Sequence, residues 1–194
     1  MGGRHLVQTP MNQSPHGIKE SSGPSRVSVF TSVTRLLLCT CLALLAACPL
    51  FAATSLLHKP APGFSRSDFQ HRKVDLSSYK GKVVLLDFWA TWCAPCLVEI
   101  PHFTAWQKQY GPRGLQIVGV SMDDDPAAAL KVYEKLKINY PVVMGDEKLG
   151  QSYGGVLGLP VAFLIDRRGV IQAQFQGEPD LNMVEKQIAK LLGQ

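Results

Sequence analysis

The run Val83-Val84-Leu85-Leu86-Asp87-Phe88-Trp89-Ala90-Thr91-Trp92-Cys93-Ala94-Pro95-Cys96 decides the fold. Its first seven residues are β-favouring and almost wholly apolar, too few for a typical helix, which predicts a strand buried on both faces. From Pro95 to about Tyr110 the apolar residues Leu97, Ile100, Phe103 and Trp106 return at three-residue steps until Gly111-Pro112 stops them. That pattern predicts a long helix, kinked near Pro101. Two cysteines therefore lie between a buried strand and a helix start, where the short loop lets their sulfurs meet.

Working outward, Leu115 to Ser121 reads as a second buried strand. Asp123-Asp124-Asp125-Pro126 then opens a helix running to about Lys137, with the aspartates as a cap and first-turn charges rather than a metal cluster. Tyr140 to Met144 is a short strand and Glu147 to Tyr153 a short helix. Val161 to Ile165 pairs with Val170 to Phe175 across Asp166-Arg167-Arg168-Gly169, and Leu181 to Leu192 is an amphipathic helix. Upstream, residues 54–82 form a polar lead-in with a short strand pair and a turn over Leu76 to Lys82. The main order, β-α-β-α-β-β-α after an N-terminal extension, implies an α/β fold: a central mixed sheet with helices on both faces.

The chain has 194 residues, 46% of them hydrophobic, enough for one core with a stretch to spare. The spare part is N-terminal. Residues 1–35 are polar and basic, whereas residues 36–53 carry no charge. Leu36 to Ala47, preceded by Arg26 and Arg35, has the length of a signal-peptide apolar region. It ends in Leu45-Ala46-Ala47-Cys48, which resembles a lipobox and makes Cys48 the expected lipidated first residue of the mature chain. Cleavage near Ala52 or Ala53, retention of residues 36–53 as an anchor, and a plain core helix stay open. The expectation is an exported protein of the cell envelope, facing the periplasm and tethered to the membrane by lipid or anchor, with residues 54–194 as its folded domain. Residues 48–194 hold 16 Lys plus Arg against 14 Asp plus Glu, a net of 16 − 14 = +2, so the charge makes no case for nucleic acid. A monomer is expected.

Cys39, Cys41 and Cys48 fall in or at the end of the uncharged segment, which leaves Cys93 and Cys96 as the one pair in the folded part. Unpaired N–H groups and the positive dipole end at a helix N-terminus favour a thiolate on the nearer cysteine. Cys93 is thus the expected exposed nucleophile, and Cys96, one turn into the helix, the resolving thiol; Pro95 restricts the loop between them. Zinc needs about four ligands, and His102 alone does not complete a set. Covalent haem attachment needs His after the second cysteine, where Leu97 stands. No cofactor and no metal is expected. Asp87 interrupts an apolar strand, and burial there raises a carboxyl's pKa. Glu99, one turn beyond Cys96, is either a helix-surface charge or a group that handles protons or contacts a partner.

Leu86-Asp87-Phe88-Trp89-Ala90-Thr91-Trp92-Cys93-Ala94-Pro95-Cys96 resembles the active-site stretch of the thioredoxin superfamily, and the chain from about Pro60 onward is similar to its TlpA/ResA-like, redoxin (AhpC-TSA-like) branch. Leu76 to Lys82, Glu99-Ile100-Pro101, Val118-Gly119-Val120-Ser121 and Gly158-Leu159-Pro160 ahead of Phe163-Leu164-Ile165-Asp166 extend the likeness over roughly 130 residues. The resemblance implies a thiol-disulfide oxidoreductase. It places the family's cis proline at Pro160, with the backbone at Leu159 docking the partner chain and Trp92, Ala94 and Pro95 bordering it. It also matches Asp87 to the buried acid that moves a proton to or from the resolving thiol, and leaves Ala94 where some ResA-like members carry an acid. Partners so implied are exported proteins bearing thiols or disulfides, apocytochrome c among them, and a membrane electron donor if the protein is a reductase. The direction of electron flow stays open. Two other functions stand beside this one. A thiol peroxidase would show Pro-x-x-x-Thr-x-x-Cys, but Leu86 stands seven residues before Cys93. A lipoprotein binding module would keep the pair as a structural staple only.

Overall fold

The structure, a computed structural model, describes residues 55–156 and 158–193. The expectations for residues 1–35 and 36–53, including lipidation of Cys48, lie outside the described residues.

Among the described residues, seven strands and four α-helices follow one another: β1 (Ser65–Ser67), β2 (Lys73–Asp75), β3 (Val83–Trp89), α1 (Ala94–Tyr110), β4 (Leu115–Ser121), α2 (Pro126–Lys135), β5 (Val142–Met144), α3 (Glu147–Ser152), β6 (Val161–Ile165), β7 (Ile171–Gln176) and α4 (Leu181–Leu192). The main sheet runs β5-β4-β3-β6-β7. β3 pairs in parallel with β4, and β4 with β5; β6 runs antiparallel to β3, and β7 to β6. All seven residues of β3 are buried, because the strand is central and covered on both faces. β5 and α3 fall where the sequence predicts a short strand and a short helix, so the full order carries one strand and one helix more than β-α-β-α-β-β-α. β5 starts at Val142 rather than Tyr140, since Pro141 has no N–H for the ladder.

Alternation along β3 divides the core. Val83, Leu85 and Trp89 pack beneath α1 with Ile100, Phe103 and Trp106, and beneath α4 with Val184 and Ile188; Ala129 of α2 joins this cluster. Val84, Leu86 and Phe88 face the other way, against Leu149 of α3, Tyr153, Leu76 and Val74. The second face is therefore covered by one short helix and the lead-in rather than by long helices. The β1–β2 ribbon closes the β5 edge: the Phe69 N–H bonds the Val142 carbonyl at 3.1 Å. An unpaired edge strand would otherwise invite pairing with another chain.

α1 runs unbroken through Pro101. α2 ends at Lys135, earlier than its apolar pattern suggests, and Lys137 turns the chain with φ of 50°. Asp125, not Asp123, caps it, accepting from the Ala127 N–H.

Candidate redox site

β3 ends at Trp89, and four residues later Cys93 occupies the N-cap of α1, its sulfur accepting from the Cys96 N–H at 3.3 Å. One of the four unpaired N–H groups of a helix start is thereby aimed at the Cys93 sulfur. Pro95 falls in the first turn, where its missing N–H removes nothing. Cys93 and Cys96 form a disulfide with Cα atoms 5.3 Å apart. In this oxidised form Cys93 is 4% exposed and Cys96 1%. The nucleophile expected to be exposed is thus largely covered, though it is the more accessible of the two; its neighbour Trp92 is 69% exposed.

The loop before Cys93 is fixed by Asp123. Its carboxylate accepts from the Thr91 N–H at 3.0 Å, the Thr91 hydroxyl at 2.6 Å and the Ser121 hydroxyl at 2.8 Å. The sequence reading of Asp123 as a helix-capping or first-turn charge is corrected here: it ties the end of β4 to the loop that presents the cysteines. The contacts to Thr91 join residues 32 positions apart, so no local pattern announces them.

Pro160 follows a cis peptide bond after Leu159; Pro160 is buried and Leu159 half-buried. Ala94 is exposed and Pro95 half-buried. An open groove of about 480 Å³ runs beside the disulfide, lined by Ala94, Pro95, Val98, Glu99, Glu178, Pro179 and Leu181. Val98 is an exposed apolar side chain on its wall.

Beneath α1 lies an unusual set of polar atoms. Asp87 is 1% exposed, and neither carboxyl oxygen has a hydrogen-bond partner. Burial, and then the charge of Glu99, push it well above its ordinary value. Glu99 is 6% exposed, which overturns the surface-charge alternative. Burial and the nearby Glu178 charge raise it to about 7. The Trp89 Nε1 and the Tyr140 hydroxyl are also buried without partners. The Trp89 indole and the Tyr140 ring converge over Gly119, which pairs with Asp87 across β3 and β4: a side-chain carbon there would stand 3.1 Å from Trp89 Nε1 and 3.5 Å from the Tyr140 ring. Tyr140, raised by burial and then by the Asp87 and Glu99 charges, was not singled out from the sequence, where it looks like a strand residue. Buried polar groups left unpaired are costly, and their concentration beside a redox disulfide marks a working site. Among the described residues no group of three or more His, Cys, Asp or Glu stands ready to hold a metal.

Comparison with known proteins places this arrangement. Residues 57–174 match the model of the AhpC/TSA family. The thiol-disulfide oxidoreductase ResA of Bacillus thuringiensis subsp. konkukian is 33% identical over 135 residues, which is 69% of this chain and 77% of that protein. A solved structure of a putative thiol:disulfide interchange protein DsbE from Chlorobium tepidum is 34% identical with a TM-score of 0.65, covering 69% of this chain and 96% of its own. The exposed lipoprotein thioredoxin Etrx1 from Streptococcus pneumoniae is 26% identical with a TM-score of 0.59, covering 66% of this chain and 99% of its own.

Proposed function

Because the chain belongs to the AhpC/TSA family and is a thiol-disulfide oxidoreductase of thioredoxin fold, we propose that its Cys93–Cys96 couple reduces disulfides of exported proteins. The observation that carries this reading is a disulfide at a helix N-terminus, bordered by an open groove and underlain by two acids with raised pKa values.

In the reduced protein the Cys93 thiolate, steadied by the Cys96 N–H, attacks one sulfur of the partner's disulfide. The partner's S–S bond breaks, a Cys93–partner bond forms, and one partner thiolate leaves and takes up a proton. Cys96 then gives up its proton and attacks the Cys93 sulfur. The Cys93–Cys96 bond forms, the second partner thiolate leaves, and two electrons have passed to the partner. Asp87 is the acceptor of the Cys96 proton: a carboxyl held well above its ordinary value can take a proton and return it near neutral pH. Glu99, about 7 and on the groove wall, is placed to handle protons at the partner side. The partner's extended chain lies in the groove, against Trp92, Ala94 and Pro95, and pairs with the backbone at Leu159 beside Pro160.

Regenerating the dithiol requires a dithiol donor at the membrane. Residues 36–53 tether the protein there, facing the periplasm, by a lipid on Cys48 or by retention as an anchor; the likeness to a pneumococcal exposed lipoprotein supports the lipid form. Disulfides of apocytochrome c are among the targets that the TlpA/ResA-like resemblance implies. No proline precedes Cys93 by seven residues, so the peroxidase alternative finds no support.

Equilibration with reduced and oxidised glutathione, read by mass after alkylation, tests the direction. A potential well below the glutathione couple supports reduction; one well above it contradicts it and assigns oxidation instead. Each 30 mV is about 1.4 kcal/mol for two electrons. The mass of the membrane-extracted chain decides the tether, with a lipid-modified Cys48 expected.

A further inference from the structure

The domain's small net charge hides a separation along the strands. At the end where β4, β5 and β7 finish, the end at which the disulfide follows β3, lie the exposed residues Asp124, Asp125, Asp146, Glu147, Glu178 and Asp180. Arg66 and Lys148 stand among them, Arg66 paired with Asp146 at 2.6 Å.

The opposite end is basic. Lys80 and Lys82 precede β3, Arg113 precedes β4, Arg167 and Arg168 follow β6, and Lys190 lies in the last turn of α4; all six are exposed. Hydrogen bonds gather these segments into one surface: the Gly81 N–H bonds the Arg167 carbonyl at 2.8 Å, the Val83 N–H bonds the Gly114 carbonyl at 2.9 Å, and Arg167 reaches the Leu192 carbonyl. Against them stand Asp75, Asp166 and Glu185; Asp166 is in a salt bridge with Arg168 at 3.0 Å, and Glu185 accepts from the Tyr110 hydroxyl, whose ring Arg113 covers. A groove of about 390 Å³ opens on this end, with Pro60, Ala61, Leu76 and Ile165 in its wall and Lys80 and Arg168 at its rim.

The chain also enters the domain here. His58 bonds the Ile171 carbonyl, the Ile171 N–H bonds the Lys59 carbonyl, and Ala61 bonds the Gly169 carbonyl, so the link from residues 36–53 arrives beside the basic residues. A seven-residue strand rises about 20 Å, more than twice the Debye length of about 8 Å at physiological salt. A charged surface touching one end therefore acts on that end almost alone.

We propose that this basic end is a docking face for an anionic lipid surface, which holds the tethered domain with Cys93 and Cys96 turned toward the aqueous side. The proposal rests on the reading of residues 36–53 as a membrane tether. The acids at the disulfide's end make that end the unfavourable one to bring against an anionic surface, so the charge separation selects the docking end and leaves the redox end facing water. Apolar wall with a cationic rim is the chemistry that meets a phosphate headgroup and the acyl boundary beneath it.

The test uses the full chain with vesicles of phosphatidylcholine alone or containing about a third phosphatidylglycerol, where each basic residue near the surface is worth about fivefold in binding. Flotation and amine acylation of Lys80 and Lys82, relative to Lys148 at the other end, are read by mass. Acylation of Lys80 and Lys82 is expected to fall about fivefold or more with the anionic lipid and to recover in high salt. The double variant Arg113→Glu, Arg167→Glu, which keeps both lysines as reporters, is expected to erase that difference while exchanging disulfides in solution at the native rate. Equal acylation on both vesicles overturns the proposal, as does protection that grows with protein concentration on phosphatidylcholine alone, which would mean that a second copy covers this face. Failure to float with phosphatidylcholine contradicts the tether alone; flotation that then depends on phosphatidylglycerol and salt still supports the docking face.

Discussion

In the ribbon at the sheet edge, Asp68 is buried and accepts from the backbone of Gln70 and Arg72 and from the Arg72 side chain, all within 2.9 Å. At the centre of the sheet, Asp87 is buried as completely and accepts nothing. Burial pushes both carboxyls up, but at Asp68 the hydrogen bonds and charge of Arg72, with the Gln70 N–H, more than reverse it and leave the group below its ordinary value. At Asp87 nothing opposes burial, and the Glu99 charge adds to it. The same side chain thus serves two ends. A satisfied carboxylate shapes a turn; an unsatisfied one is a proton acceptor held in reserve.

Asp87→Asn breaks the contrast most sharply. Resolution of a mixed disulfide by Cys96 is expected to slow by about a hundredfold, the usual scale of a positioned base, measured by stopped-flow release of a labelled peptide. Stability should move the other way. A raised folded pKa means stability is fully present below the unfolded value and lost as pH rises through the folded one. At pH 8 the variant should therefore gain about 1–3 kcal/mol in denaturant unfolding, with little gain at pH 4.

Asp123→Ala should cost about 2–3 kcal/mol, because it leaves the Thr91 N–H and two hydroxyls without their acceptor, and should slow attack by Cys93 by loosening its loop. Asp68→Ala should cost about 1–3 kcal/mol and leave exchange rates unchanged, which separates a structural acid from a working one. The smallest effect is expected at Glu99. Raised to about 7, it contributes stability that is full below its ordinary 4.5 and lost through about 7. Glu99→Gln should remove that decline, about 1 kcal/mol by pH 8, in pH-dependent thermal melts.

The contrast also explains how much the sequence disclosed. β3, α1, the paired cysteines and the hairpin Val161 to Gln176 carry strong local signals: an apolar run, a three-residue apolar step, a CxxC between them and a four-residue turn. The proline at 160 was legible mainly through resemblance, since an X-Pro bond before an apolar strand is a plausible cis site but such bonds are mostly trans. Glu99 was within reach, since it lies three residues after Cys96 and four before Phe103, on the buried side that Ile100 and Trp106 continue. Asp123 and Tyr140 were not. The first acts on Thr91 across two strands, and the second sits over Gly119 beside Trp89, contacts created by sheet register rather than by neighbouring residues. Pairing also explains why β5 shrank to three residues behind Pro141.

The unequal roles of the two sulfurs can be read in one measurement: the intact mass of Cys96→Ser after incubation with a disulfide-bonded peptide, followed by proteolysis to locate the adduct. The account predicts a peptide joined through Cys93, releasable by dithiothreitol, and no adduct in Cys93→Ser. A stable adduct on Cys96 in Cys93→Ser, or none in Cys96→Ser, would contradict it.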